Sequence, residues 1–370
     1  MNTPCTRPWR AFKAPVLGVA LLALAACGTQ RPAGEEPLSP EQTRARVLRL
    51  LPAQVADRQG WARDIETAFT TRKIAPSAEN ICAVLAVTEQ ESNYQVDPAV
   101  PNMARVARGE IDRRAGRLRI PTGLVDAALK LPSSDGRSYA RRLDGARTEH
   151  DLSAIFDDFI GQVPLGRTLF GNFNPVHTAG PMQVSIAFAE GQARDYPYPD
   201  AERVRDEVFK RRGGMYYGIV HLLGYPANYP QPLYRFADYN AGWYASRNAA
   251  FQAAVNRIAG VKLALDGDLL SPGFTPGATE QAVRSLYPRV KLRNPVIHEQ
   301  LAQGTDEGFE NTELYRTVFE LADRANGAPM PRAVLPGIVL ESPKITRHLT
   351  TAWFAQRVDG RYQRCLARGG

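Results

Sequence analysis

The sequence predicts a mainly α-helical protein, and three observations carry that prediction. Apolar residues recur at helical spacing along most of the chain, alternating strand-like runs are almost absent, and Gly, Pro and Asn clusters punctuate the pattern at ordinary intervals. The 370 residues suffice for one large domain or two ordinary ones. A hydrophobic content of 44% and a charged content of 23% are those of a soluble globular body. There is no internal repeat and no low-complexity tract.

The amino terminus carries an address. Arg7, Arg10 and Lys13 form a basic region, and an apolar run from Ala14 to Ala26 follows, too short for a permanent bilayer span. The run ends in Leu24-Ala25-Ala26-Cys27, which resembles the bacterial lipobox. Small residues let the extended backbone enter the peptidase, and the Cys27 thiol accepts diacylglycerol. Residues 1–26 are therefore expected to be a signal peptide and 27–38 a lipidated tether. Gly28, where Asp would mark inner-membrane retention, favours the outer membrane by the same resemblance. The formal charge of +8 includes the three basic residues of the signal sequence, so the mature chain is less basic. A mild positive excess suits an anionic cell-wall polymer or lipid headgroups, and is also within ordinary variation. No Lys/Arg run with interleaved aromatics occurs, which argues against nucleic acid.

With Cys5 removed and Cys27 acylated, Cys82 and Cys365 remain in an oxidising compartment, where pairing is the expected outcome. The alternative is two buried thiols that never meet.

Helices follow in order. Ser39-Pro40 has the form of an N-cap with Pro at the first helical position, opening a helix to about Leu51. Trp61–Arg72 is a second, and Ser77 caps a third that continues through Ile81, Val84, Leu85 and Thr88. Further helices are expected at about Ala104–Leu118, Pro121–Leu131, Asp151–Ile160, Met182–Arg194, Glu202–Leu223, Tyr244–Ile258, Glu307–Arg324 and Thr346–Val358. The Pro- and Gly-rich stretch Leu270–Gly277 is the best candidate boundary. It separates a helical domain, 39–270, from a carboxy-terminal helical extension, 271–370, packing on it.

Three short motifs carry chemistry. The first is Glu89-Gln90-Glu91-Ser92-Asn93-Tyr94 at the end of the third helix. Glu91 continues the stripe of Ile81 and Val84 and sits near the negative end of the helix dipole. Desolvation and the dipole both oppose ionisation, as a general acid for glycoside cleavage requires. The bland alternative is a snorkelling or salt-bridged carboxylate. The second motif is Ala179-Gly180-Pro181-Met182-Gln183, running into a helix. Gly180 permits close backbone approach, and Gln183 offers a donor and an acceptor to sugar hydroxyls. By itself it is also an ordinary loop-to-helix junction. The third, Asp238-Tyr239-Asn240-Ala241-Gly242, reads as a tight turn that places a phenol near a carboxyl, or simply as a turn between helices.

Taken in order, Glu91-Ser92, Gly180-Pro181-Met182-Gln183 and Tyr239-Asn240-Ala241-Gly242 resemble the motifs of lytic transglycosylases in the goose-type lysozyme superfamily. The resemblance implies a lysozyme-like helical core with a peptidoglycan groove. Glu91 would be the single catalytic acid and base, with Tyr239 held against it. Ser92, Gly180, Met182, Gln183 and Asn240 would contact the glycan strand, and neither metal nor cofactor is implied. Family members join the first two motifs by a short segment, whereas here Glu91 and Gln183 are far apart. An inserted helical block, 100–176, is therefore expected beside or over the groove. Pro181 stands where Leu or Val is usual, and Asp238 is an extra charge, either a second carboxylate or, as expected, a salt-bridged structural residue.

Longer strings, Ala154–Asp158, Ala237–Gln252 and Leu340–Arg347, resemble the YaiW-type outer-membrane lipoproteins, a family described as of unknown function. That resemblance supports the lipid anchor and the outer membrane. A second functional reading follows: a non-catalytic envelope lipoprotein that binds glycan or peptides, engages an envelope protein, or assists transport across the outer membrane. The five histidines, His150, His177, His221, His298 and His348, form no close pair, so no metal site is expected. Arg211-Arg212-Gly213-Gly214 is either an anion site or a solvated turn within a helical stretch.

Overall fold

Ser39 opens the first helix through a full capping box. Its hydroxyl accepts the Gln42 N–H at 3.2 Å while its own N–H donates to Gln42 Oε1 at 2.8 Å. The computed structural model describes residues 38–273, 275–340 and 347–369. The expected signal sequence, Cys27 and nearly all of the tether lie outside the described residues, as do 341–346, which hold nearly all of the third family-like string; the last expected helix, Thr346–Val358, is found shifted, from Thr351 to Gly369.

The chain is mainly helical, with three helices at its described start: α1 (Pro40–Leu50), α2 (Arg58–Arg72) and α3 (Ala78–Ser92). A block of five follows: α4 (Met103–Arg117), α5 (Thr122–Leu129), α6 (Tyr139–Gly145), α7 (Glu149–Gly161) and α8 (Gly166–Phe170). A small hairpin, β1 (Thr178–Ala179) and β2 (Val184–Ser185), pairs antiparallel with Thr178 opposite Ser185. Beyond it come α9 (Ile186–Gly191), α10 (Val204–Phe209), α11 (Arg211–Leu223), α12 (Pro232–Ala241) and α13 (Ala245–Ala259). The last four are α14 (Ala278–Arg284), α15 (Asn294–Ala302), α16 (Glu313–Asn326) and α17 (Thr351–Gly369).

Several expected spans change. Met182–Arg194 is not one helix, because Gly180–Gln183 forms the hairpin loop and only α9 is helical. Glu202–Leu223 breaks at Lys210, whose extended backbone separates α10 from α11. Glu307–Asn311 is a 3-10 segment, and α16 starts anew behind its Thr312 cap. Helices α6, α8, α12, α14 and α15 were not anticipated; most are too short to show a periodic stripe.

α3 is the centre of the larger core. Ile81, Cys82, Val84, Leu85 and Val87 are essentially inaccessible, so this helix is enclosed on all sides except near its carboxyl end. α17 packs on both α3 and α12 through Phe354, Ala355, Val358 and Tyr362. Burying each large apolar side chain there contributes ~1.5–3 kcal/mol. The expected Cys82–Cys365 disulfide joins α3 to α17, with Cα atoms 5.5 Å apart.

A second core lies between α13 and α14–α16, built around Phe251, Phe309 and Phe319. Arg247 is fully buried beside it, donating to the carbonyls of Gly304 at 2.7 Å and Asp306 at 2.8 Å. The segment 100–176, expected as an inserted block, has a small core of its own, Met103, Tyr139, Ala146 and Ile155. It is tied to the rest by Arg203, which donates to Asp157 of α7 at 2.8 Å.

Candidate functional site

Glu91 is the penultimate residue of α3. Asn93 (φ 50°) and Tyr94 (φ 61°) both take left-handed conformations and end the helix there. Tyr94 donates its hydroxyl to the Leu85 carbonyl at 3.1 Å and meets Trp61 edge-on, fixing the turn. Glu91 is partly exposed, next to its fully buried stripe neighbours Val84 and Thr88. Ser92 is buried, and its hydroxyl donates back to the Thr88 carbonyl at 3.1 Å. Glu89, one turn-face away, is held by Arg364 at 3.2 Å and Arg361 at 3.5 Å from α17.

The hairpin approaches from the other side. Gly180 has φ +74°, and a Cβ there would lie 2.3 Å from the Val208 carbonyl oxygen. Its neighbour across the gap is Gly214 of α11, where a Cβ would lie 2.5 Å from Pro181 Cδ. The Arg211-Arg212-Gly213-Gly214 run is thus neither a solvated turn nor an open anion site. Its glycine receives the hairpin, while Arg211 pairs with Asp57 and Asp64, and Arg212 with Glu207 and Asp200.

Tyr239 joins the two parts. It lies on the last turn of α12, not in a free turn, and Gly242 (φ +108°) ends that helix. Its hydroxyl donates to the Met182 carbonyl at 2.6 Å. Burial and the nearby negative charge of Glu91 together push this phenol far above its usual range, so it stays a neutral donor. The structure therefore brings Glu91, Tyr239 and Met182 to one place, although they come from α3, α12 and the hairpin.

The remaining sequence-predicted residues are engaged by the protein. Met182 is fully buried. Gln183 donates to the Gly180 carbonyl at 3.3 Å and accepts from Thr178 at 3.2 Å, both within its own hairpin. Asn240 accepts the Thr351 hydroxyl at 2.7 Å, which links α12 to the start of α17. Asp238 was expected in a salt bridge and has none among the described residues. It is wholly buried and accepts from Tyr225 at 2.9 Å, Tyr229 at 2.5 Å and the Ser246 N–H at 2.7 Å. Burial raises its carboxyl above the ordinary range, and the three donors oppose that rise.

Sequence reasoning missed an aromatic row beside Tyr239. His221 lies 4.8 Å from the Tyr239 ring and 4.5 Å from Phe188, centre to centre, and Phe188 meets Trp243 at 5.4 Å. His221 is held to about pKa 4 by burial, and its Nδ1 has no hydrogen-bond partner among the described residues. Trp243, directly after Gly242 in the third motif, was the one available signal; nothing local marks His221 or Phe188. A cleft of about 530 Å³ lies between Arg167 and Asn172 on one side and Ser185, Ile186 and Arg203 on the other; Glu91 does not line it. Among the described residues no cluster of His, Cys, Asp or Glu could hold a metal ion.

Residues 54–368 match the family model described as "Protein of unknown function (DUF1615)". The chain belongs to this family. It is similar to the uncharacterized protein YaiW of Escherichia coli (strain K12), 55% identical over 353 residues, covering 94% of this chain and 96% of that one. No solved structure matches the chain.

Proposed function

We propose that this DUF1615 chain is an outer-membrane lipoprotein, anchored through Cys27, with a lysozyme-like core that cleaves peptidoglycan glycan strands as a lytic transglycosylase. The supporting observation is the convergence of three separated motifs, with Glu91 at the end of a buried helix and Tyr239 held neutral beside it. In this reading Glu91 protonates the oxygen between N-acetylmuramic acid and N-acetylglucosamine as the glycosidic C–O bond breaks. The resulting carboxylate takes the proton of the muramoyl 6-hydroxyl, whose oxygen bonds to the anomeric carbon and closes a 1,6-anhydro ring. The substrate supplies the nucleophile, so one carboxyl suffices.

A second reading is favoured by specific contacts. Ser92 and Gln183, two of the expected sugar-holding groups, spend their polar atoms on Thr88 and on the hairpin itself, and Asn240 gives its Oδ1 to Thr351. A scaffold so engaged suits a non-catalytic envelope lipoprotein that binds glycan or peptide, or assists transport across the outer membrane. Incubating the body from Gly28 onward with purified sacculi separates the two. The enzyme reading expects anhydro-muropeptides in the mass spectrum and their loss in Glu91→Gln. No anhydro products, or equal release by the variant, leaves the binding reading.

A further inference from the structure

Ten of the thirteen large apolar side chains exposed among the described residues fall between Leu118 and Phe173, inside the inserted block. Leu118, Leu124, Leu165, Leu169 and Phe173 are each 59–74% exposed. Such concentration is unlike the scattered apolar residues of an ordinary surface. Several of these residues are neighbours in space. Arg114 near the end of α4 donates to the Phe173 carbonyl at 2.7 Å, which sets Leu118 close to the segment after α8. Gln162 donates to the Pro132 carbonyl at 3.3 Å, which sets Leu131 close to Val163. Phe170 and Phe173 meet at 6.4 Å.

Exposed cations sit within this apolar surface. Arg117 and Arg119 flank Leu118, Lys130 precedes Leu131, and none of the three forms an ion pair among the described residues. Apolar side chains interleaved with unpaired Lys and Arg match the boundary between acyl chains and anionic headgroups. A second copy is a poorer occupant, because a two-fold contact would bring these cations against one another. No helix among the described residues is long and apolar enough to cross a membrane, so the fit is to a surface.

We propose that this face of the inserted block seats on an anionic lipid bilayer, its leucines and phenylalanines entering the headgroup boundary and Arg117, Arg119 and Lys130 meeting phosphates. The inference rests on the Cys27 anchor for proximity alone: the tether between Cys27 and Leu38 spans at most about 40 Å extended, which holds the body within reach of lipid. It gives the block a role other than covering the groove, orienting the body on the membrane.

The test uses the unlipidated chain from Gly28 onward, since Leu38–Gly370 forms one compact unit. Flotation with phosphatidylethanolamine–phosphatidylglycerol vesicles at moderate salt should recover the protein with lipid. Leu165→Ser/Leu169→Ser/Phe173→Ser should lower that partition at least tenfold. Arg117→Glu/Arg119→Glu should lower it on these vesicles and leave the weaker binding to neutral phosphatidylcholine unchanged. All five positions are exposed, and near-ultraviolet circular dichroism checks that the fold persists. No lipid binding by the parent chain, or equal binding by the apolar variant, overturns the proposal. So does a dimer in sedimentation that the apolar variant abolishes, which would make a second copy the occupant. The anchor is tested separately, by the acyl mass on Cys27 in the full chain.

Discussion

Reducing the Cys82–Cys365 bond should cost this protein a large part of its stability while leaving its fold in place. The two cysteines are 283 residues apart, and both are buried where α17 crosses α3. In the chain-entropy model, closing a loop of that length restricts the unfolded chain by roughly 5–6 kcal/mol at 25 °C. The native contacts of Phe354, Val358 and Tyr362 do not depend on the bond, so reduction acts almost entirely on the unfolded state. With a guanidinium m-value of about 6 kcal/mol/M, the unfolding midpoint should fall by about 1 M, and m should rise as the released chain expands. Cys82→Ala/Cys365→Ala should show the same shift, enlarged by ~1 kcal/mol for the atoms removed. Circular dichroism followed through titrations with and without reductant measures both quantities. A midpoint shift below ~0.2 M in both samples would refute the loop-closure argument.

Other perturbations have equally definite outcomes. Tyr239→Phe leaves the buried Met182 carbonyl without its 2.6 Å donor and should destabilise by about 1–3 kcal/mol in the same titration. If the protein cleaves glycan, that variant should also lower the rate of anhydro-product release. Asp238→Ala strands two phenols and the Ser246 N–H, and should cost about 2–4 kcal/mol, against almost nothing for the exposed Asp144→Ala. His221 has a folded pKa of about 4, below its ordinary value, so between pH 6.5 and pH 4 the unfolded chain binds the extra proton. Its contribution should be intact above pH 6.5 and fall on acidification, by up to ~3 kcal/mol at pH 4. His221→Phe should flatten that part of the stability–pH curve, and an unchanged slope would sink the assignment.

What the sequence revealed follows from the range of each interaction. The caps at Ser39 and Ser77 and the buried stripe of α3 depend on residues three to seven apart, and all were legible. The disulfide was legible by elimination: if the signal sequence takes Cys5 and a lipid takes Cys27, two thiols are left, and these are the two the structure joins. The hairpin was not, since two residues per strand carry no alternation and Gly180-Pro181-Met182-Gln183 leads into a helix either way. α12 was obscured in the same manner: its ten residues end in Asn-Ala-Gly, which resembles a turn, and its identity as a helix is set by packing on α17. Asp238 misled because a lone carboxylate suggests a cationic partner, whereas Tyr225 and Tyr229 reach it from the preceding loop. At the candidate site, the motif residues were visible as a set, but their engagement by Thr88, Thr178 and Thr351 is set by the tertiary fold. The aromatic row of Phe188, His221 and Trp243 is assembled from three elements, and no local pattern could announce it.

The pairing of α3 with α17 also sets a clock on maturation. A chain emerging at about 5–20 residues per second delivers Cys365 roughly 15–60 s after Cys82. During that interval the α3 face that α17 will cover has no partner, and the Cys82 thiol has not met its mate. If Cys27 is acylated and Cys5 removed, the sequence offers that thiol no rival cysteine within the chain. Wrong pairings are then confined to other molecules, and lipidation doubles as protection for the disulfide still to come.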